Sequence, residues 1–229
     1  MAARSRLRVR EPRLNILPLS VDEVARFWSS FRTARDLAIV GLMLMHGLRS
    51  AEVLALNPED VLLSDAQLRV RGKGNKLRFL PLAPETTQLL DHYLRLERPN
   101  PSSQALFVVL KGPARGTRMT PAGLRSLFRY HRRTTGTQLA SPHRFRHTFA
   151  SDMVRAGMSL PALMHLMGHA DIETTLRYVQ VTPQAARWRS ASGPFRGSPR
   201  EPRAPPSTAT SAGCGLRAFG RFPLHRTEP

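Results

Sequence analysis

Between Leu37 and Met45 the chain runs nine residues without a charged or polar side chain. With Gly47 after this run as a C-cap, the pattern predicts a helix from Thr33 to His46. A helix that is apolar on every side is stable only if other elements cover every side. It is also too short to cross a bilayer, which takes about 20 apolar residues. The chain must therefore build a core around this helix, and 229 residues suffice for one domain with tails.

The covering elements can be read on either side. Ser20 to Glu23 form a capping box that opens a helix to about Ser30. Ser50 can cap a short helix, Ala51 to Leu56, and Asn57 to Asp60 make a turn. Val61–Leu63, Gln67–Arg71 and Lys76–Pro81 read as three short strands. Gly72 to Asn75 form the turn between the second and third. Leu68 and Val70 alternate on one face, as do Leu77 and Phe79. Pro84 to Glu97 reads as a helix, and Ala105–Leu110 as a strand or a buried extended segment. Thr120-Pro121 opens a helix to about Arg133, and Ser141-Pro142 one to about Ala156, closed by Gly157. Leu160–Met167 and Ile172–Gln180 are two more helices, with Asp171 as the second N-cap. The fold class is α+β: mainly helical with a small antiparallel three-stranded sheet.

Charge narrows the function. Lys and Arg number 35 against 16 Asp and Glu, a net +19, and even residues 21–181 hold 22 basic against 13 acidic side chains. A basic body points to a polyanion, most simply nucleic acid. The arginines at positions 4, 6, 8, 10 and 13 are followed by no apolar stretch, so they make no secretory signal. A single cysteine, Cys214, excludes an internal disulfide and a cysteine-built metal cage, and suits a reducing, cytoplasmic location. From about Arg189 onward Ser, Pro, Gly and Arg dominate, a composition that cannot bury enough apolar area to order itself.

Several short pieces could carry chemistry. His143 and Arg146 lie three apart near a helix N-terminus, on one face. Backbone N–H groups there favour an anion, but a plain basic surface helix would read the same way. His143 and His147 have a zinc-compatible spacing, yet Arg144 stands where a metalloprotease helix needs Glu. Arg49 follows the capped end of the apolar helix, with Glu52 one turn on. This could be an oriented site arginine or an ordinary surface ion pair. Lys73 and Lys76, two of only three lysines, share one glycine-rich turn. Tyr178 follows His169 by nine residues. His92, Tyr93, Tyr130 and His131 read as ordinary structural residues.

Taken together and in order, these pieces resemble the tyrosine recombinases, or phage integrases. Gly47-Leu48-Arg49-Ser50-Ala51-Glu52-Val53 is similar to the family's first arginine motif, and Lys73 to its β-strand lysine. His143-Arg144-Phe145-Arg146 is similar to its H-x-x-R box, Leu166-Met167-Gly168-His169 to its L-G-H box, and Asp171 to Tyr178 to its nucleophile helix. The resemblance covers about Leu19 to Gln184.

It implies DNA strand cleavage and rejoining through a 3′-phosphotyrosyl link. Tyr178 would be the nucleophile. Arg49, Arg146 and His169 would hold the non-bridging oxygens. Lys73 would protonate the leaving 5′-oxygen, His143 would assist proton transfer at Tyr178, and Glu52 would orient the site. Lys76, Arg78 and Arg144 are expected to contact DNA. No metal, ATP or other cofactor is implied. The partners are double-stranded DNA and other recombinase protomers, in an assembly as large as a tetramer, with no membrane. The expected layout is a flexible basic leader over residues 1–18, a catalytic domain over 19–187 and a disordered tail over 188–229. Family members usually carry a preceding helical domain that completes a clamp around DNA. The short segment before Leu19 is expected to lack it, as in the fimbrial-switch invertases or in a truncated mobile-element remnant that binds DNA without completing recombination.

If six to ten phosphates are contacted, DNA affinity should fall ~10³–10⁵-fold between 50 and 200 mM salt. An anisotropy titration that is flat over that range would contradict the polyanion reading.

Overall fold

The computed structural model describes residues 17–99 and 103–168, apart from the side chain of Lys73. Residues 1–16 of the leader expected over 1–18, the helix Ile172–Gln180 with Tyr178, His169, and the tail lie outside the described residues.

Seven α-helices are present among the described residues: α1 (Val21–Ser29), α2 (Ala34–Leu44), α3 (Ser50–Ala55), α4 (Pro84–His92), α5 (Pro121–Thr135), α6 (Pro142–Arg155) and α7 (Leu160–Met167). Three strands, β1 (Val61–Leu62), β2 (Gln67–Arg71) and β3 (Leu77–Pro81), form one antiparallel sheet in that order. The caps fall where the side chains call for them. The Ser20 hydroxyl accepts the Glu23 N–H at 3.2 Å while Glu23 accepts the Ser20 N–H at 2.8 Å. Thr33, Thr120 and Ser141 each accept a backbone N–H three residues on.

Helix α2 is the axis of the core. Ala38, Ile39, Val40, Leu42 and Met43 are fully buried, and α3, α4, α6 and the π-helical turn Tyr93–Glu97 that continues α4 all pack on it. The helix ends at Met45, whose N–H keeps the regular bond to the Gly41 carbonyl, and beyond it the Leu48 N–H reaches back to the Leu42 carbonyl at 3.1 Å across Gly47. Gly47 has φ +65°, and a Cβ there would lie 2.4 Å from the Phe149 ring. Both the left-handed turn and the close packing of α6 need glycine. A smaller cluster, Phe149, Ala150, Leu163 and Met167, joins α6 to α7.

Two readings are refined. The Ala105–Leu110 stretch is the buried extended alternative, with only an isolated bridge from Val108 to Arg118. Its Leu106 N–H donates to the Leu56 carbonyl, its Phe107 carbonyl accepts the Met119 N–H, and the Tyr93 hydroxyl accepts the Val108 N–H and donates to the Leu106 carbonyl.

The second change concerns β3. A four-residue turn followed by a strand from Lys76 would set Leu77 opposite Val70 and Phe79 opposite Leu68. The hairpin instead uses five residues, Gly72 to Lys76, closed by the Gly72 N–H on the Lys76 carbonyl at 2.9 Å. Val70 therefore pairs with Arg78 and Leu68 with Leu80. One residue of register exchanges the two faces of a strand. Leu77 and Phe79 keep their alternation but face outward, 55% and 53% exposed, while Arg78 and Leu80 face the core. Of the tyrosines, Tyr93 is buried and Tyr130 lies open on α5.

The core also holds His46, whose Nε2 lies 3.0 Å from the Thr86 hydroxyl. Burial lowers its pKa to about 4, against a backbone hydrogen bond that favours the charged ring. The folded protein thus keeps His46 neutral, while the unfolded chain takes up a proton near pH 6.5. Stability should fall as pH drops from 6.5 toward 4. Replacing His46 with Gln should flatten the decline in melting temperature over that window; an unchanged slope would show that other groups cause it.

Candidate active site

The loop after α2 and the first turn of α3 carry the first arginine. Glu52, at the third helical position, accepts the Arg49 backbone N–H at 2.8 Å and its guanidinium at 2.9 Å. The pair is a buried junction on the carboxylate side, because Glu52 is only 6% exposed. Arg78 arrives from the inner face of β3 and binds both carboxylate oxygens, at 3.1 and 3.0 Å. Arg146 arrives from α6, with its Nη1 3.8 Å from Glu52. One carboxylate is thus shared by three guanidiniums from three elements.

The arginines are further held by the open end of α7. The last carbonyls of a helix have no partner within it and carry the negative end of its dipole. Arg78 donates to the Leu166 carbonyl at 3.0 Å. Arg49 donates to those of Met167 at 3.1 Å and Gly168 at 3.3 Å. Arg146 donates to Met167 at 2.7 Å and also to the Gly47 carbonyl. Gly168 ends the helix at φ +60°, a left-handed cap.

Burial alone would raise the Glu52 carboxyl. The Arg78 hydrogen bonds, the Arg49 backbone N–H and the charges of both arginines outweigh it and hold the carboxyl below its ordinary value. The group of four therefore keeps more positive than negative charge. Arg146 is buried, whereas the Arg49 side chain is 38% exposed and presents the cationic edge.

His143 stands one turn before Arg146 on α6 and is exposed at its rim. Its Nε2 lies 2.9 Å from Nε2 of His147, so one ring must donate and the other accept as a neutral base. Partial burial, then the charges of Arg146 and Arg144, lower the His143 pKa and favour the neutral ring. Among the described residues no group of three or more His, Cys, Asp or Glu is placed to hold a metal ion.

The structure thus brings Arg49, Glu52 and Arg146 together, with His143 beside them. The backbone of Lys73 lies in a single helical turn, Lys73–Asn75, at the hairpin tip, and Lys76 is exposed next to it. Arg144 is partly buried and donates to the Leu17 carbonyl. Arg78, expected on DNA, is corrected. It is 7% exposed with its guanidinium turned inward onto Glu52, because the five-residue turn puts position 78 on the inner face. Counting cross-strand pairs from a five-residue loop would have found it. His147 was weighed only as half of a zinc pair, and its i, i+4 spacing from His143 carries the contact that forms.

This fold, with three guanidiniums gathered around one carboxylate, defines a class. The model of the phage integrase family matches residues 18–185, and the chain belongs to that family. It is 37% identical over 152 residues to the tyrosine recombinase XerC of Pseudomonas savastanoi pv. phaseolicola, covering 66% of this chain and 50% of that protein. It is 35% identical over 160 residues to XerC of Chlamydia pneumoniae, covering 67% and 49%. The crystal structure of XerA recombinase superposes with a TM-score of 0.65 at 30% identity, over 79% of this chain and 66% of that one. The Tn1549 transposon integrase shares the fold, with a TM-score of 0.65 at 22% identity. The chain spans about half the length of the curated relatives it matches. No helix among the described residues is long and apolar enough to cross a membrane.

Glu52→Gln leaves two buried guanidiniums facing an amide that carries no charge. Breaking such a buried cluster from one side typically costs about 3–5 kcal/mol. A chemical melt should show a loss of that size, and a variant as stable as the parent would mean that the carbonyls of α7 suffice without Glu52.

Proposed function

We propose that this protein is a site-specific DNA recombinase that cleaves and rejoins strands through a 3′-phosphotyrosyl intermediate. The observation that carries the reading is the convergence of Arg49 and Arg146, from different elements, on one carbonyl oxygen, that of Met167, beside a shared carboxylate. Two planar forks fixed at one point suit the non-bridging oxygens of a phosphodiester. They add most when those oxygens gain charge in the pentacoordinate transition state.

The chemistry is the one that the resemblance to the family implies. Tyr178 Oη attacks the scissile phosphorus and gives up its proton, with His143 as the assisting base. The P–O5′ bond breaks, and Lys73 supplies the proton that the departing 5′-oxygen takes. His169 adds a third donor to the phosphate oxygens. A free tyrosine titrates near 10, and a cationic pocket is what makes its oxygen usable near neutrality. The new ester retains the energy of the broken phosphodiester, so rejoining needs neither ATP nor a metal. Glu52 holds the two arginines in place. Lys76 and Arg144 flank the site as contacts to the DNA backbone. Double-stranded DNA is the substrate, and further protomers of the same kind are the partners for strand exchange. The XerC relatives, named tyrosine recombinases, support the reading.

A nicked suicide substrate tests the nucleophile. Tyr178→Phe should abolish the covalent protein–DNA adduct on denaturing gels and leave DNA affinity intact. Tyr130→Phe should keep the adduct. Tyr93→Phe should keep it too, at a cost of about 1 kcal/mol for the lost bond to the Leu106 carbonyl. An adduct that survives in Tyr178→Phe removes the assignment.

Arg49→Lys keeps the charge but loses the fork. Cleavage should fall ~10²–10³-fold with DNA affinity nearly unchanged. Equal losses in binding and cleavage would make Arg49 a simple DNA contact.

A further inference from the structure

Arg78 is the one guanidinium of the cluster that comes from the hairpin carrying Lys73. Its side chain spans three elements. It binds both oxygens of Glu52 on α3 and the Leu166 carbonyl on α7, and it lies directly beneath two glycines. A Cβ on Gly72 would lie 3.2 Å from Arg78 Nη1, and one on Gly168 would lie 2.9 Å from the same nitrogen. These glycines immediately precede Lys73 and His169 in the chain. A single planar group is thus wedged under the two backbone steps that lead into two proposed site residues. The carboxylate it grips is the one that holds Arg49 and Arg146.

We propose that Arg78 is a positioning residue that docks the Lys73 hairpin, through Gly72, against the arginine pocket. The proposal rests on the reading of Lys73 as the acid for the leaving 5′-oxygen. Residues Leu77 and Phe79 on the same strand face outward, so the inward hold of the strand's hairpin end falls to Arg78. Arg78 touches no reacting atom in this scheme. Lysine at 78 keeps the charge and the length but cannot grip both carboxylate oxygens and the Leu166 carbonyl while lying flat under Gly72. Gly72→Ala pushes on the same contact from the other side and leaves the arginine in place.

The test separates docking of the hairpin from general support of the site. Strand cleavage is measured in single turnover on two nicked DNA substrates, one with the natural 5′-oxygen and one with a 5′-bridging sulfur. On the sulfur substrate the Tyr178 Oη–P bond forms and the P–S bond breaks to release a thiolate, which needs no proton from Lys73. Loss of a positioned general acid costs ~10²–10⁴-fold. Arg78→Lys should therefore slow cleavage of the oxygen substrate ~100-fold and regain most of that loss on sulfur, as Lys73→Ala should. Gly72→Ala should show the same pattern at about 10-fold. Amide exchange supplies a readout independent of activity: residues 72–76 should exchange ~10-fold faster in Arg78→Lys, with α2 unchanged. Unchanged exchange at 72–76, or a rate loss equal on both substrates, would overturn the proposal. A parent protein that forms no adduct on either substrate would sink the recombinase reading instead, and the exchange comparison would still decide whether Arg78 holds the hairpin.

Discussion

The shared carboxylate of Glu52 is the constraint on which the site depends. Three guanidiniums brought into one buried region would repel one another and lose their hydration. Glu52 makes the gathering tolerable because its oxygens lie within hydrogen-bond reach of Arg49 and Arg78, and near Arg146. It is itself placed by the shortest local device available: the third residue of α3 folded back on the N-H of the first arginine. The apolar helix α2 sets where that device can stand. Its left-handed exit at Gly47 turns the chain so that Arg49 leaves the core at the foot of α6.

Much of this was legible in the sequence. The all-apolar stretch from Leu37 to Met45, with Gly47 behind it, announced the central helix, and Ser20, Thr120-Pro121 and Ser141-Pro142 announced helix starts, because those signals are local. The pairing of Arg49 with Glu52 is also local, one helical turn apart. What the residues alone did not reveal depends on distant partners. The inward turn of Arg78 follows from whether a hairpin loop has four residues or five. Two glycines and an asparagine near its tip serve either length. The Leu77–Phe79 alternation identified a strand face correctly but could not say which side the core lay on. The junction of Arg146 with the α7 carbonyls needed the packing of α6 on α7, which no short-range pattern encodes.

The family resemblance and the physical reading meet at the same residues but supply different things. The match over residues 18–185 assigns the chain to the phage integrases. The geometry shows what the described residues share: Arg78 from the hairpin, Arg49 and Glu52 at the start of α3, Arg146 near the start of α6 and the carbonyls at the end of α7 meet in one small volume. His143 adds a neutral ring at its rim, kept so by partial burial and the neighbouring guanidiniums.

Four of the hydrogen bonds that hold Arg49, Arg78 and Arg146 end on main-chain oxygens of α7, at Leu166, Met167 and Gly168. No side-chain replacement can delete a carbonyl. The arginines thus depend on where the end of α7 lies rather than on the chemistry of its side chains. The vulnerability shifts to whatever keeps that helix end in register. That is the small apolar contact of Phe149 and Ala150 with Leu163 and Met167. Substitutions in that apolar seam should therefore loosen the arginine cluster although none of its side chains belongs to the cluster.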